Sequence, residues 1–452
     1  MADVGVRGRA ASVPHPGQRL AGSSADDRGR FAFGSLRVLD DATLTVAGGV
    51  RSVLASELDV LHSAAVTVQG PETGQLRIEA RDALRLGPGA AIRADGAGYG
   101  PDARHPSCSD GGARNGGLHG GGPAGQSCGD YEWPVLAGPG GSSGQHAGGA
   151  GGGSVTLVCN ATESSVMELN GTVSVDGQSG RAYTSGSGSA SGGGAGGSLL
   201  VVASRLSGTG TLSATAAPGR TATDPTTATA GPAAASPSTP TRPRAASPSR
   251  ARCGLAPAAY GSWGAQAAAG TVYWCDGRAS ESEAALEGEA NVHRCGVRRL
   301  ELDNSDRVLT PYFTQLQLPA WRRLVEVDEL HLGSGVQLAV PGPPVFDPVA
   351  MPLNRTAVVL GNVTGVGSGT SALHALAGTT VSLAGLRPGV RRVSENGEWV
   401  RQSQEQRVVS MTVEEHARLV LPQSLILRSV ALTVRGDVFG GPVPVDARRV
   451  EL

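Results

Sequence analysis

The feature that most constrains this chain is a recurring pair of alternating apolar residues. Leu36-x-Val38 is followed, after five residues, by Leu44-x-Val46. The same order returns as Leu58-x-Val60 with Val66-x-Val68, and as Leu76-x-Ile78 with Leu84-x-Leu86. Towards the C-terminus it reappears as Met411-x-Val413 with Leu419-x-Leu421, and in a shortened form as Leu330-x-Leu332 with Val336-x-Leu338. Alternation with period two marks half-buried strands, and the Asp, Ser, Gly and Pro between the pairs mark turns. Such short strands cannot bury their apolar faces singly. Stacked at strand spacing, about 4.8 Å, they can.

A second repeat overlies the first. Leu76 to Gly98, Val155 to Gly180 and Leu199 to Gly219 each hold a strand, a turn containing Leu and Gly, and a short strand. The short strands are Ala91 to Ala94, Thr172 to Val175 and Thr211 to Ala214, and Asp95-Gly96 and Asp176-Gly177 follow the first two. Each copy is followed by a low-complexity insertion. The first, 99–153, is Gly-rich; the second, 181–197, is rich in Gly and Ser; the third, 216–252, is rich in Ala, Pro, Thr, Ser and Arg. By composition all three read as flexible surface loops, which a stack tolerates because closing a longer loop costs little more. The expected organisation is a disordered segment over 1–33, repeats over 34–215 with insertions at 99–153 and 181–197, a low-complexity linker or gene-model artefact over 216–259, and further repeats over 260–452.

Composition narrows the chemistry. All 38 basic residues are Arg, so no phosphate-loop, Schiff-base or kinase-type lysine exists. The missing Lys also marks a GC-rich gene. A one-base shift of GC-rich Gly codons yields Ala, Arg and Pro codons, which is why 216–252 reads either as an artefact or as a mucin-like O-glycosylated spacer. A formal net charge of −1 gives no electrostatic footprint for nucleic acid or an anionic membrane. No apolar run reaches the about 18 residues of a membrane span, and Met1 to Leu20 lacks the apolar core of a signal peptide. The chain is therefore expected either to be cytosolic or to begin inside a longer gene product.

Two further patterns point outside the cell. Of the six Cys, Cys108 and Cys128 share a spacing with Cys275 and Cys295, which suits disulfides closing local loops; unpaired thiols are the alternative. Asn160, Asn170, Asn354 and Asn362 lie in N-x-Thr sequons, which carry meaning only in a secreted protein.

Strand–turn–strand units ending in Ala94-Asp95-Gly96-Ala97-Gly98 or Val175-Asp176-Gly177-Gln178-Ser179-Gly180, with Gly tracts and the later Gly270-Thr271-Val272-Tyr273 strand, resemble Gly-rich parallel β-helix repeats. Such repeats occur in large surface proteins and resemble adhesin passengers and the pectin-lyase-like fold. The resemblance implies an all-β chain, a right-handed parallel β-helix (β-solenoid) with Gly-rich and low-complexity loop insertions, in adhesion or matrix roles. Its implied partners are extracellular matrix or cell-surface glycans or proteins; no nucleic acid, membrane span or cofactor is expected.

Pectin-lyase-like folds also host polysaccharide hydrolases and lyases, which need clustered carboxylates at general acid/base separation. Asp40-Asp41 stands alone in a turn, and a motif ending in Lys is excluded. Asp95 and Asp176 occupy equivalent turn positions and read either as a stacked carboxylate ladder or as caps of tight D-G turns. Residues 96–102 faintly echo a calcium repeat, and Gly192-x-Gly194-x-x-Gly197 formally matches a dinucleotide fingerprint without its βαβ context. His105, His119 and His146 are irregularly spaced; Tyr131 and Trp133 anchor their loop or offer a sugar-stacking surface. The leading expectation is a non-catalytic extracellular scaffold or adhesion module. The alternative is a polysaccharide-binding or polysaccharide-degrading protein, and a third is a truncated product that does not fold alone.

Overall fold

Alternating segments become strands, and no helix occurs among the described residues. This computed structural model describes residues 29–46, 50–69, 75–105, 134–141, 147–180 and 191–217, residues 143, 336 and 435, and strands lying within 4–25 and 251–451. Residues 280–292, whose Ala/Glu-rich composition reads as the one plausible helical segment of the sequence, lie outside them. Among the described residues the strands form two sheets, one of 24 strands and one of six.

The six-stranded sheet is parallel throughout. Its members run Ala11–Val13, Thr43–Val46, Ala65–Val68, Ala91–Arg93, Thr172–Ser174 and Thr211–Ser213. Leu44, Val66, Ile92, Val173 and Leu212 therefore form one column. In the large sheet Leu36, Leu58, Leu84, Met167 and Leu206 form another. A second column there holds Phe31, Val53, Ile78, Leu157 and Val201. Residues of both sheets belong to one buried cluster, so the core lies between them. A tier is thus one pass of the chain through both sheets.

The register corrects the reading of the first repeat. Leu84-x-Leu86 aligns with Leu58-x-Val60, not with Val66-x-Val68, and Leu76-x-Ile78 falls beside a different column. The reason is physical. Gln75–Leu86 is a single long strand whose two apolar pairs both belong to the large sheet, and alternation alone does not tell a bend from a turn. The second repeat is in true register: Leu76, Val155 and Leu199 are neighbours, as are Ile92, Val173 and Leu212.

The expected right-handed parallel β-helix is not what the chain forms. The strands divide between two sheets, and no closed coil is present among the described residues. The chain also inverts direction three times in succession: Ser198–Ala203 pairs antiparallel with Ala251–Ala256, that strand with Gly270–Asp276, and that one with Val297–Asp303. A coil returns every strand in one direction through a crossover, whereas antiparallel neighbours reverse. Alternation reports only that one face is buried, which holds for either direction, so period two did not distinguish them. Parallel pairing resumes from Val297–Asp303 to Leu324–Leu332 and continues to Val445–Glu451.

The ends of the expected segments also move. Phe31 and Phe33, within the segment read as disordered, are 0% and 1% exposed. Ala216 and Ala217 are buried, and Ala251–Ala256 is a strand, although both fall within the 216–259 segment.

The turns joining the sheets differ by tier. Asp40 and Asp41 have φ of 57° and 60°, His62 and Ser63 of 56° and 62°. The closing bonds are Ala42 N–H to Leu39 O at 3.2 Å and Ala64 N–H to Leu61 O at 3.3 Å. Both are turns with two left-handed central residues, which Asp tolerates better than most. The next tier uses Pro88-Gly89, where Pro presets one dihedral and Gly supplies φ of 75°. Outside the large sheet, Arg37, Asp59, Arg85 and Glu168 stack in register. Asp59 lies 3.3 Å from Arg37 and 3.0 Å from Arg85, so opposite charges alternate across neighbouring strands.

Leu84 is 0% exposed and lies between Leu58 and Met167. Leu84→Ala leaves a cavity in the middle of a column, and the expected cost is about 2–5 kcal/mol. A fall in the denaturation midpoint, read by urea titration, checks this.

Candidate functional site

The most unusual local chemistry lies where the Gly-rich insertions meet the second repeat. Segments 134–141, 147–153 and 191–197 are neither helix nor regular strand. The expectation of flexible surface loops is corrected here: Gly138, Gly149, Gly152 and Gly194 are buried.

Hydrogen bonds explain the burial. The carbonyls of Gly149 and Gly152, three residues apart, accept from Gly141 at 2.8 Å and Gly138 at 2.7 Å. The N–H groups of the same two residues donate to Gly192 at 2.9 Å and Ala195 at 2.8 Å. Between them, Ala150 O accepts from Gln178 at 2.8 Å, while Gly151 accepts from Gly98 at 2.7 Å and donates to Tyr99 at 2.9 Å. One segment therefore bonds to four neighbours with a period of three and no bond within itself, which is the pattern of a polyproline II chain. A strand in a sheet reaches only two neighbours.

Such packing has no room for side chains. A Cβ on Gly152 would overlap the Val175 carbonyl oxygen, and one on Gly194 the Ala150 oxygen. Composition showed the glycines but not their use, because flexible linkers and close-packed backbone share the same bias. The period-three contacts become visible only once the segments are side by side. Gly192, Gly194 and Gly197, which match the dinucleotide fingerprint, are members of this bundle.

Along one edge of the bundle runs an aspartate relay. Asp95 Oδ2 accepts from the Ser174 hydroxyl at 2.9 Å, and its Oδ1 from the Asp176 N–H at 2.8 Å. One tier on, Asp176 Oδ1 accepts from the Ser213 hydroxyl at 2.7 Å and the Thr215 N–H at 2.6 Å. The carboxylates bind the next tier rather than one another. The sequence signal was the Ser two residues before Asp176 and before Thr215, which the Asp-Gly motif overshadowed. Burial pushes the Asp95 carboxyl above its ordinary value. The bonds from Asp176 N–H and Ser174 and the charge of Arg93 oppose this, while the charge of Asp176 adds to it.

The remaining residues read from the sequence lie apart. Asn170 sits at a tier corner, its amide donating to Glu168 at 2.7 Å and its oxygen accepting from Thr209 N–H at 3.1 Å. Asn160, half-buried, follows Ser154–Cys159 at the start of a corner loop whose residues 161–164 are exposed. Asn362 is in the strand Thr356–Gly365, opposite Glu329, and Asn354 lies outside the described residues. Cys108, Cys128 and Cys295 also lie outside them; Cys275 is in Gly270–Asp276, its backbone opposite Arg252 and Arg298. Cys159 is a buried free cysteine. Its thiol donates to Val166 O at 3.4 Å and burial pushes it up to about 11, so it stays protonated and is a poor nucleophile. His105 meets the Tyr99 ring edge-on at 6.3 Å. His119, His146, Tyr131 and Trp133 lie outside the described residues. Asp102 accepts from Ser143 N–H at 2.8 Å, and Asp40 pairs with His62.

Comparison of the chain with protein-family models, with curated proteins and with solved structures finds no match.

Two expectations follow from this geometry. Gly152→Ala forces backbone apart, at a cost of about 3 kcal/mol or more, whereas Gly100→Ala, with nothing within 4 Å of the added methyl, is near neutral. Hydrogen exchange should show loss of amide protection at 147–153 and 191–197 in the first variant alone. For Asp95, the folded state holds its proton to a higher pH than the unfolded chain does. Its contribution to stability therefore declines as pH rises through the window above the ordinary carboxylate value. Asp95→Asn keeps an oxygen for Asp176 N–H and offers an amide to the Ser174 hydroxyl. It should remove that decline, leaving the variant at least as stable as the parent at neutral pH in a pH series of thermal melts.

Proposed function

We propose that the chain is a non-catalytic scaffold or adhesion module of an extracellular protein. The observation that carries this reading is the buried glycine bundle. There the backbone is itself the packed material, tied to neighbours in several directions, and its rows continue the ladders of both sheets. Separating adjacent tiers means breaking many bonds at once, a property suited to holding shape under load. Aspartates that would serve as acid and base in a hydrolase are instead spent on tier-to-tier bonds: Asp95 and Asp176 each accept from a hydroxyl and a main-chain N–H. The partners of such a module are extracellular matrix or cell-surface glycans or proteins, bound through corner loops that leave the stack.

Surface labelling tests this proposal. An antibody against the full chain should stain intact, unpermeabilised producing cells or their matrix, and protease added outside should remove the signal. Staining seen only after permeabilisation would overturn it. Release of reducing or unsaturated sugars from pectin or alginate by the purified chain would instead favour the polysaccharide-degrading alternative.

A further inference from the structure

The four sequons are equivalent as sequence, but Asn160 and Asn170, both at corners of the stack, differ in what folding does to their amides. We infer that Asn160 is an N-glycan acceptor of the folded protein and that Asn170 is not; this rests on the extracellular reading above.

The corner between the two halves of a tier is short elsewhere. Ala203 lies opposite Cys159 and Arg205 opposite Val166, with only Ser204 between them, whereas six residues, 160–165, fill the same gap one tier earlier. On the other side three residues, Ala80 to Asp82, separate Glu79 from Ala83, the partners of Val158 and Val166. The extra length must leave the stack. Ala161, Thr162, Glu163 and Ser164 are exposed. The loop is pinned at its base, where Ser165 donates to Arg81 O at 2.7 Å and accepts from Thr162 N–H at 3.0 Å. Asn160 is half-buried, as Asn170 is, but it stands at the start of this projecting loop, where the flanking tiers are shorter at the corner.

Asn170 is in the opposite situation. Its Nδ2 donates to Glu168 at 2.7 Å, and its Oδ1 accepts from Thr209 of the next tier at 3.1 Å. Its own N–H and that of Gly171 donate to Leu86 O of the preceding tier. A sugar on Nδ2 would crowd the Glu168 carboxylate that this amide bonds, while Oδ1 already ties the same side chain to the next tier.

The modification is an ordinary glycosyl transfer. Asn160 Nδ2 forms a bond to the anomeric carbon of an oligosaccharide carried on a polyprenyl diphosphate. The anomeric C–O bond breaks, the diphosphate departs on its lipid, and one amide proton is lost to a base. The sequon hydroxyl is that of Thr162.

The test expresses the full chain behind a cleavable leader in a eukaryotic secretory host. Glycopeptides are mapped from both secreted and cell-associated protein, after cleavage at Glu163 and Glu168 to separate the two sites. The expected result is Asn160 occupied in most molecules and Asn170 bare in the secreted pool. Asn160→Gln should remove that glycan without lowering the secreted yield. Asn170→Gln should lower the unfolding midpoint without changing the glycan mass. A bare Asn160, or an occupied Asn170 in secreted, folded protein, overturns the inference. Occupancy in this host does not depend on where the native chain resides, so failure of the extracellular reading is scored separately by surface labelling.

Discussion

The described body depends on one constraint: each tier must meet the next in a register that satisfies the backbone. Where strands are regular, ladder bonds satisfy both sides of each strand and fix which side chains form columns. Where the Gly-rich segments meet, the same requirement is met in more directions, because bare backbone can approach backbone from several sides. Buried peptide groups left without partners are costly. The interlocking bonds of Gly149, Ala150, Gly151 and Gly152 are therefore what allow these segments to be inside at all.

Side chains and backbone agree on that register, since a slip of one residue would turn every apolar column outward. The columns through Leu84 and Ile92 fill the space between the sheets with aliphatic groups one residue thick, consistent with a chain that is only 4% aromatic. Outside, Asp59 lies between Arg37 and Arg85 because registered strands bring one residue of each tier to the same position. At the corners, Asp95 and Asp176 repeat one hydrogen-bonding relation a tier apart. Each arrangement is local, yet each recurs because the stack does.

Insertions tell structure from function in such a chain. The six residues at 160–165 depart from a corner otherwise closed by Ser204 or by Ala80 to Asp82. By contrast, most of the described Gly-rich insertion residues return to the stack and are buried. Length in a loop is therefore not a measure of exposure; what matters is whether its backbone finds partners.

The sequence by itself determined the repeat strands and their apolar faces, though not the strands Val4–Arg7, Ala11–Val13 and Ala251–Ala256, together with the absence of lysine chemistry and the equivalence of the Leu76, Val155 and Leu199 units, because alternation and spacing are local properties. It also placed the Asp95-Gly96 turn, but not the second one expected: at Asp176-Gly177 the chain makes no turn, and Gln178 N–H donates to Ala150 O instead. Only the tertiary structure decided the register of Leu84 with Leu58, the antiparallel reversal at Ala251–Ala256, the burial of the glycine segments and the contrast between Asn160 and Asn170. Each of these depends on which distant residues become neighbours. Strand direction leaves no mark on a period-two pattern, and a glycine that faces water is spelled the same way as one pressed against another backbone.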